Sequence, residues 1–289
     1  MSSTLFTTSD GDVIIHAGPD PDSKRAFRVH KLILSLASPV FEDMFAFPQP
    51  PDQNDEHGLP VIDVSDPPES LDMILRLLYP GIEPPGIPDI QTLTALLVVA
   101  DKYNITSIYP TLRGTLKTFL PGRPFRAYVV ACRFGFLKEA KEAARVGTTQ
   151  SIIFEGIDEE VRHISSIDVM RWVKFVQERE REGRSLIGKL LGWEQVNSDY
   201  HCIHRDSGKD FYFRLERAVE DAFCSNPGLT SDNFFAVLHK VPDPPLGCKS
   251  LSMAIRNRLM WVAEELGKLD RRMLGEAFEG IGSGRTLDA

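Results

Sequence analysis

The chain has 289 residues, a formal net charge of −8 and four cysteines. A chain of this length can bury a full core without disulfides, and cysteines spaced as widely as Cys132, Cys202, Cys224 and Cys248 indicate no disulfide framework. The sequence has no apolar run long enough to span a membrane and no signal-peptide pattern at its start. We therefore expect a protein of the cytoplasm or nucleus.

Charge is distributed unevenly along the chain. Residues 1–120 hold 8 Lys and Arg against 16 Asp and Glu, whereas the remainder is balanced. An acidic first half repels phosphate backbones, which argues against nucleic acid as its partner. An excess of acid is also a common aid to solubility, and this simpler interpretation carries more weight.

Three short strands are predicted in the first 65 residues. Residues 13–15 form an apolar run, and Phe27 and Val29 alternate with charged residues across a turn-rich segment, which predicts a hairpin. Residues 61–64 give the third strand. Between the second and third strands, Ser38 before Pro39 is the pairing of N-cap and first-turn residues that begins a helix.

Helices are predicted for the rest of the first half. Asp66 and Glu69 have the spacing of a capping box, so Asp66 is expected to cap the next helix. Apolar residues then recur at helical spacing in three segments: Leu71, Ile74, Leu75 and Leu78; Ile90, Leu93, Leu97 and Ala100; Ile108, Leu112, Leu116 and Phe119.

Motifs near the beginning, middle and end of this half occur in register. Residues 11–16 read Gly-Asp-Val-Ile-Ile-His; residues 27–45 read Phe-x-Val-His-Lys-x-x-Leu-x-x-x-Ser-x-x-Phe-x-x-Met-Phe; residues 100–103 read Ala-Asp-Lys-Tyr. Together they resemble the BTB/POZ domain across residues 9–120. The resemblance implies an α+β fold, in which a short three-stranded sheet is flanked by a helix cluster, and a function in binding proteins without catalysis.

Most of the motif residues are interpreted as structural. We expect eight apolar side chains in the core: Phe27, Val29, Leu32, Phe41, Met44, Leu71, Leu75 and Leu97. His30, at a strand-to-helix junction, is expected to be a hydrogen-bonded structural histidine, and Asp12 a turn or cap residue. A function of this half would therefore reside on its surface.

The resemblance also implies partners. BTB domains homodimerise, and many are adaptors that bind a cullin scaffold in ubiquitin ligases. About eight residues precede the first strand, too few for a helix of typical length. A dimer that exchanges an N-terminal strand between its chains is therefore not expected. A homodimer that forms through helical faces is the alternative.

A partner-binding segment is predicted after the second helix of the pair. Cullin-binding adaptors often carry a hydrophobic-x-Glu triplet there, and this chain offers Met44, Phe45, Phe47 and Gln49. Gln49 replaces the carboxylate and loses a charge-assisted hydrogen bond. The alternative is that Phe45 and Phe47 pack beneath the proline-rich loop that follows.

The second half, residues 121–289, is predicted to be an all-α domain that begins after Pro121-Gly122. Helical patterns at residues 125–133 and 136–144, hinged at Gly135, resemble the helical extension of BTB proteins, particularly fungal ones. Further along, one apolar face is predicted from Met170, Val173 and Val176, and the charged residues 178–182 are expected to be solvated.

The last predicted helix carries an apolar seam at spacings of 4, 3, 4, 3 and 4 residues: Ile255, Leu259, Val262, Leu266, Leu269 and Met273. The seam spans under three heptads and includes a glycine, so packing within its own domain is favoured over pairing between two chains. No substrate-receptor repeat is found in this half.

No catalytic or cofactor motif is found in the sequence. Walker-type phosphate loops, nucleophile elbows and His-Glu-x-x-His are absent, so neither an enzyme nor a cofactor is predicted. Zinc is the one metal considered, because thiolates and imidazoles are its preferred ligands. The candidate ligands are His201, Cys202, His204, Cys224 and Cys248. Only one pair of them is tightly spaced, which favours structural cysteines.

Overall fold

The computed structural model describes residues 5–6, 10–20, 23–47, 58–148, 161–191, 213–221, 223 and 249–278, with only the backbone described for 249–256. The chain forms two compact units, Met1–Phe119 and Leu120–Ala289.

A three-stranded sheet begins the first unit. Strands β1 (Val13–Ala17) and β2 (Arg25–Val29) are antiparallel, with Val13 paired to Val29, which confirms the predicted hairpin. Strand β3 (Val61–Val64) pairs parallel to β1, so the strand order is β2-β1-β3. Alternate residues of β1 are buried, as expected for a sheet with one face on the core.

Helices follow the strands closely. They are α1 (Lys31–Ala37), α2 (Pro39–Ala46), α3 (Pro68–Leu78), α4 (Ile90–Lys102), a 3₁₀ turn (Thr106–Ile108) and α5 (Tyr109–Phe119). Ser38 caps α2 as predicted, because its hydroxyl accepts a hydrogen bond from the amide of Phe41. This unit therefore has the predicted α+β fold.

Most of the predicted core residues are buried, with two exceptions. Phe27, Val29, Phe41, Leu71, Leu75 and Leu97 lie in the core. Met44 is only half-buried, and Leu32 is exposed, so the prediction was wrong for Leu32. Helix α1 is apolar around most of its circumference, and its buried contact is made by Leu34 instead.

The capping role predicted for Asp66 was also wrong. Helix α3 begins at Pro68 with Pro67 as its N-cap residue and no side-chain cap. The buried carboxylate of Asp66 instead accepts hydrogen bonds from the Tyr103 hydroxyl and, at 2.7 Å, from the Lys102 ammonium. Asp66 therefore ties the segment after β3 to the end of α4.

The described part of the second unit is helical. Its elements are α6 (Pro124–Arg133), α7 (Leu137–Gly147), α8 (Ser166–Leu191), a helical segment at 213–221 and α9 (Lys249–Ala277). Gly135 forms the predicted hinge between α6 and α7 at a φ of 72°, a conformation that favours glycine.

Trp172 on α8 is central to the core of this unit. Its ring lies 4.8 Å from the Tyr128 ring and 5.1 Å from that of Phe125, between ring centroids. The ring also approaches Gly147 so closely that a Cβ there would lie 2.1 Å from it. The fit explains why α7 ends in a residue without a side chain.

The buried face of α8 differs from the predicted one. Trp172, Phe175 and Arg179 are buried, whereas Met170 is exposed. Arg179 lies in the charged stretch expected to be solvated, but its guanidinium pairs with Asp270 of α9 at 2.6 Å. Its partner is 91 residues away in sequence, which is why charge alternation alone misplaced it.

The apolar seam of α9 packs inside its own unit, which is the alternative that the sequence favoured over pairing between two chains. Leu259, Val262, Leu266, Leu269 and Met273 are buried, and α9 packs along α8. The side chain of Ile255 lies outside the described residues.

Candidate partner-binding surface

An apolar surface on α1 is the most informative feature of the first unit. Leu32 is 69% exposed and Leu36 is 81% exposed, although both belong to a seven-residue helix made mostly of apolar residues. Side chains four positions apart lie on the same side of a helix, so the two leucines form one patch. We refer to Leu32 and Leu36 as the α1 patch.

The N-terminus of α1 is held in place by polar contacts. Asp12, predicted to be a turn or cap residue, accepts a hydrogen bond from the amide of Lys31 at 2.7 Å. The backbone amide of His30 donates to the hydroxyl of Tyr79 at 2.8 Å. The imidazole of His30 lies 3.2 Å from the same hydroxyl and 3.0 Å from the carboxylate of Asp10. His30 is therefore structural, as predicted.

Tyr79 connects α1 to the start of the chain. Burial raises the pKa of its phenol further above neutrality, and the hydroxyl contacts both the amide and the ring of His30. The Phe6 ring packs edge-on against Tyr79 at 5.1 Å between centroids, and the carbonyl of Phe6 accepts a hydrogen bond from the amide of Arg28 in β2. The sequence reasoning missed Phe6, because one aromatic residue in a polar stretch carries no periodic signal.

A second set of contacts holds α2. The hydroxyl of Ser38 donates to the carbonyl of Tyr103, and the Phe41 and Tyr103 rings stack with centroids 4.5 Å apart. Burial and the carboxylate of Asp66 raise the pKa of Tyr103, so its phenol remains the hydrogen-bond donor. We refer to Ser38, Phe41, Asp66, Lys102 and Tyr103 as the Tyr103 network. Two of its members, Lys102 and Tyr103, belong to the Ala-Asp-Lys-Tyr motif.

The predicted partner-binding residues occupy different environments. Phe45 is half-buried and stacks on Phe41 at 6.0 Å between centroids, so it packs within the unit. Met44 is half-buried, and Phe47, at the end of α2, is 69% exposed. Gln49 lies outside the described residues, as do the other residues of the proline-rich loop up to 57. The structure thus leaves Phe47 as the accessible aromatic side chain of this segment.

In the parts of the chain that the structure describes, no group of three or more His, Cys, Asp or Glu could hold a metal ion. The candidate zinc ligands His201, Cys202, His204, Cys224 and Cys248 all lie outside those parts. Cys132 is the free cysteine among the described residues, and burial raises its pKa to about 12, so it is not a reactive thiolate at neutral pH.

Among the helices that the structure describes, none combines the length and the apolar character that crossing a bilayer requires.

Comparison with known proteins identifies the first unit. Residues 5–119 match the family model of the BTB/POZ domain, which agrees with the resemblance of the motifs and with the α+β fold. No curated protein matches the chain.

Proposed function

Because residues 5–119 of the chain form a BTB/POZ domain, a module of protein–protein interaction, we propose that this protein self-associates through the α1 patch. BTB/POZ domains bind protein partners and are generally not enzymes. A role in assembly follows from that membership, and the choice of interface is our inference. The observation that carries it is the exposure of Leu32 and Leu36.

The physical argument begins with the composition of α1. A helix that is apolar around most of its circumference, as α1 is, gains stability in water when its apolar sides are covered. The unit covers the Leu34 side, and the α1 patch faces outward. Burying a leucine contributes roughly 1.5–3 kcal/mol. A twofold dimer would bury the patch of both copies, so four leucines would contribute.

The proposal assigns residues 9–120 to the partner-binding domain. It assigns residues 121–289 to a helical domain that extends the partner-binding surface or recognises another protein. The compact units Met1–Phe119 and Leu120–Ala289 support this division. The widely spaced cysteines support a location in the cytoplasm or nucleus.

The test replaces both leucines of the α1 patch with glutamate. At about 10 µM, where a specific interface of ordinary strength is populated, we expect the wild-type chain to have the mass of a dimer. We expect the Leu32→Glu/Leu36→Glu variant to have the mass of one chain, because four carboxylates would face each other without partners. Size-exclusion chromatography with light scattering measures both masses.

The control is Val98→Glu, which places one glutamate at another partly exposed apolar position of the first unit. It should retain the mass of a dimer. The proposal fails if the wild type is monomeric under these conditions, or if the double glutamate variant keeps the wild-type mass while remaining folded by circular dichroism.

A second candidate function is that of an adaptor in a cullin-based ubiquitin ligase, with residues 121–289 selecting the substrate. The exposed ring of Phe47 supports it, since an apolar anchor in this segment is what the family's cullin-binding triplet provides. The replacement of the triplet's glutamate by Gln49 weakens it.

A pull-down with purified cullin tests this candidate. Phe47→Ala should reduce retention at least about tenfold, because truncating a buried aromatic anchor commonly costs 2 kcal/mol or more of binding energy. Gln49→Glu should increase retention by restoring the charge-assisted hydrogen bond. Absent retention of the wild type, or equal retention of the wild type and Phe47→Ala, would remove the adaptor function.

A further inference from the structure

The outer face of α9 carries an exposed apolar pair. Met260 is 55% exposed and Trp261 is 42% exposed, on the side of the helix away from the seam that packs on α8. They border a shallow pocket whose described lining also includes Ala263, Glu264, Gly267 and Arg271. Tryptophan, methionine and arginine are enriched in protein–protein interfaces.

Trp261 is supported from within its own helix. The guanidinium of the buried Arg258 lies 5.3 Å from the centre of the Trp261 ring, within the range of a cation–π contact. The indole is therefore held against its own helix, beside the face on which Met260 lies.

Four residues of this face form a single stripe. Met260, Glu264, Gly267 and Arg271 are separated by 4, 3 and 4 residues, the spacing of a helix-pairing seam. Gly267, near the middle, lets another backbone approach closely. Glu264 and Arg271 lie on either side of it with opposite charges.

This arrangement is complementary to itself. When two copies of α9 pair antiparallel about a twofold axis near Gly267, Glu264 of each copy lies within about one helical turn of Arg271 of the other. We propose that this stripe is a second self-association surface, and that its occupant is the same stripe of another copy of the chain. It belongs to the second unit and is independent of the α1 patch.

The present contacts of Glu264 do not oppose this pairing. Its carboxylate lies 3.1 Å from the Lys268 ammonium, and Lys268 also pairs with Glu265 at 2.8 Å. An exposed pair within a helix is worth only a few tenths of a kcal/mol. Glu264 can therefore turn to Arg271 of a second copy while Lys268 keeps Glu265.

Charge reversal with rescue tests the proposal. A contact along one helix is small, so we expect weak association, measured by sedimentation velocity between about 10 µM and 1 mM. The background is the full chain with Leu32→Glu/Leu36→Glu, which removes the α1 patch. In that background, Glu264→Arg or Arg271→Glu alone should raise the dimer dissociation constant about tenfold, and the two together should restore it.

Arg272→Glu is the matched control for Arg271→Glu. It reverses the same charge at the next residue, whose side chain points about 100° away around the helix and so lies off the stripe. It should leave the dissociation constant unchanged. If the Leu32→Glu/Leu36→Glu chain stays monomeric up to about 1 mM, this proposal is overturned and the proposal for the α1 patch is unaffected. Single reversals without effect, or a double reversal without recovery, overturn it as well. If instead the leucine replacements leave the dimer intact and the charge reversals dissociate the wild-type dimer, then the proposal for the α1 patch is wrong and the proposal for the α9 stripe is supported.

Discussion

Replacing Asp270 with alanine is expected to destabilise the second unit by about 3–5 kcal/mol. The change removes the carboxylate that pairs with Arg179 at 2.6 Å and leaves a buried guanidinium without its counter-charge. The Phe223 ring, 5.5 Å from that guanidinium, cannot replace the lost charge. Urea unfolding followed by tryptophan fluorescence measures the effect, because all three tryptophans lie after residue 120 and report on this unit alone.

Two further variants make this prediction specific. Glu180→Ala removes an exposed carboxylate that pairs with Arg184 on the same α8 helix, and it should change stability by no more than about 0.5 kcal/mol. Arg179→Met with Asp270→Leu should recover most of the loss, since apolar side chains of similar volume often replace a buried ion pair without cost. Equal unfolding midpoints for Asp270→Ala and Glu180→Ala would show that the pair has no structural importance.

Local signals predicted the elements of the fold well. The dipeptide Ser38-Pro39 marked the start of α2, and Gly135 marked the break between α6 and α7. These predictions succeeded because capping and positive φ depend on residues that are adjacent in sequence. The hairpin and the seam of α9 were predicted for the same reason, since periodicity is local.

Predictions failed where the outcome depended on a distant partner. Leu32 was placed in the core because helical periodicity does not determine which side is covered in a helix that is apolar around most of its circumference. Asp66 has the residue type of an N-cap, but Lys102 and Tyr103, over thirty residues away, bind its carboxylate. Arg179 likewise depends on Asp270. Such pairings appear only when the fold brings the helices together.

The candidate site likewise depends both on a local motif and on the fold of the whole unit. The motif resemblance placed Phe47 among the partner-binding residues, which stays a prediction, and the structure shows that its ring is exposed. The α1 patch could not be predicted, because its leucines were indistinguishable in sequence from core residues. Exposure, a property of the whole unit, separated them.

Replacing Tyr103 with alanine is expected to destabilise the first unit by about 3–5 kcal/mol, the usual cost of removing a buried aromatic side chain. The change removes the ring that stacks on Phe41 and the hydroxyl that binds Asp66. Because the Tyr103 network joins the segment after β3 to α2 and α4, all three should loosen together. The first unit has no tryptophan, so hydrogen exchange measured by mass spectrometry is the suitable method.

Amides of α2, α4 and β3 should exchange at least about a hundredfold faster in Tyr103→Ala, which corresponds to about 3 kcal/mol. Tyr103→Phe keeps the stack and loses only the hydroxyl, so a cost of about 1–3 kcal/mol is expected from the less satisfied carboxylate of Asp66. Phe47→Ala, the loss of an exposed aromatic ring, is the matched control and should leave exchange in all three segments unchanged. If Tyr103→Phe is as damaging as Tyr103→Ala, then the hydrogen bond to Asp66, and not the stack on Phe41, accounts for the stability that the Tyr103 side chain gives to the first unit.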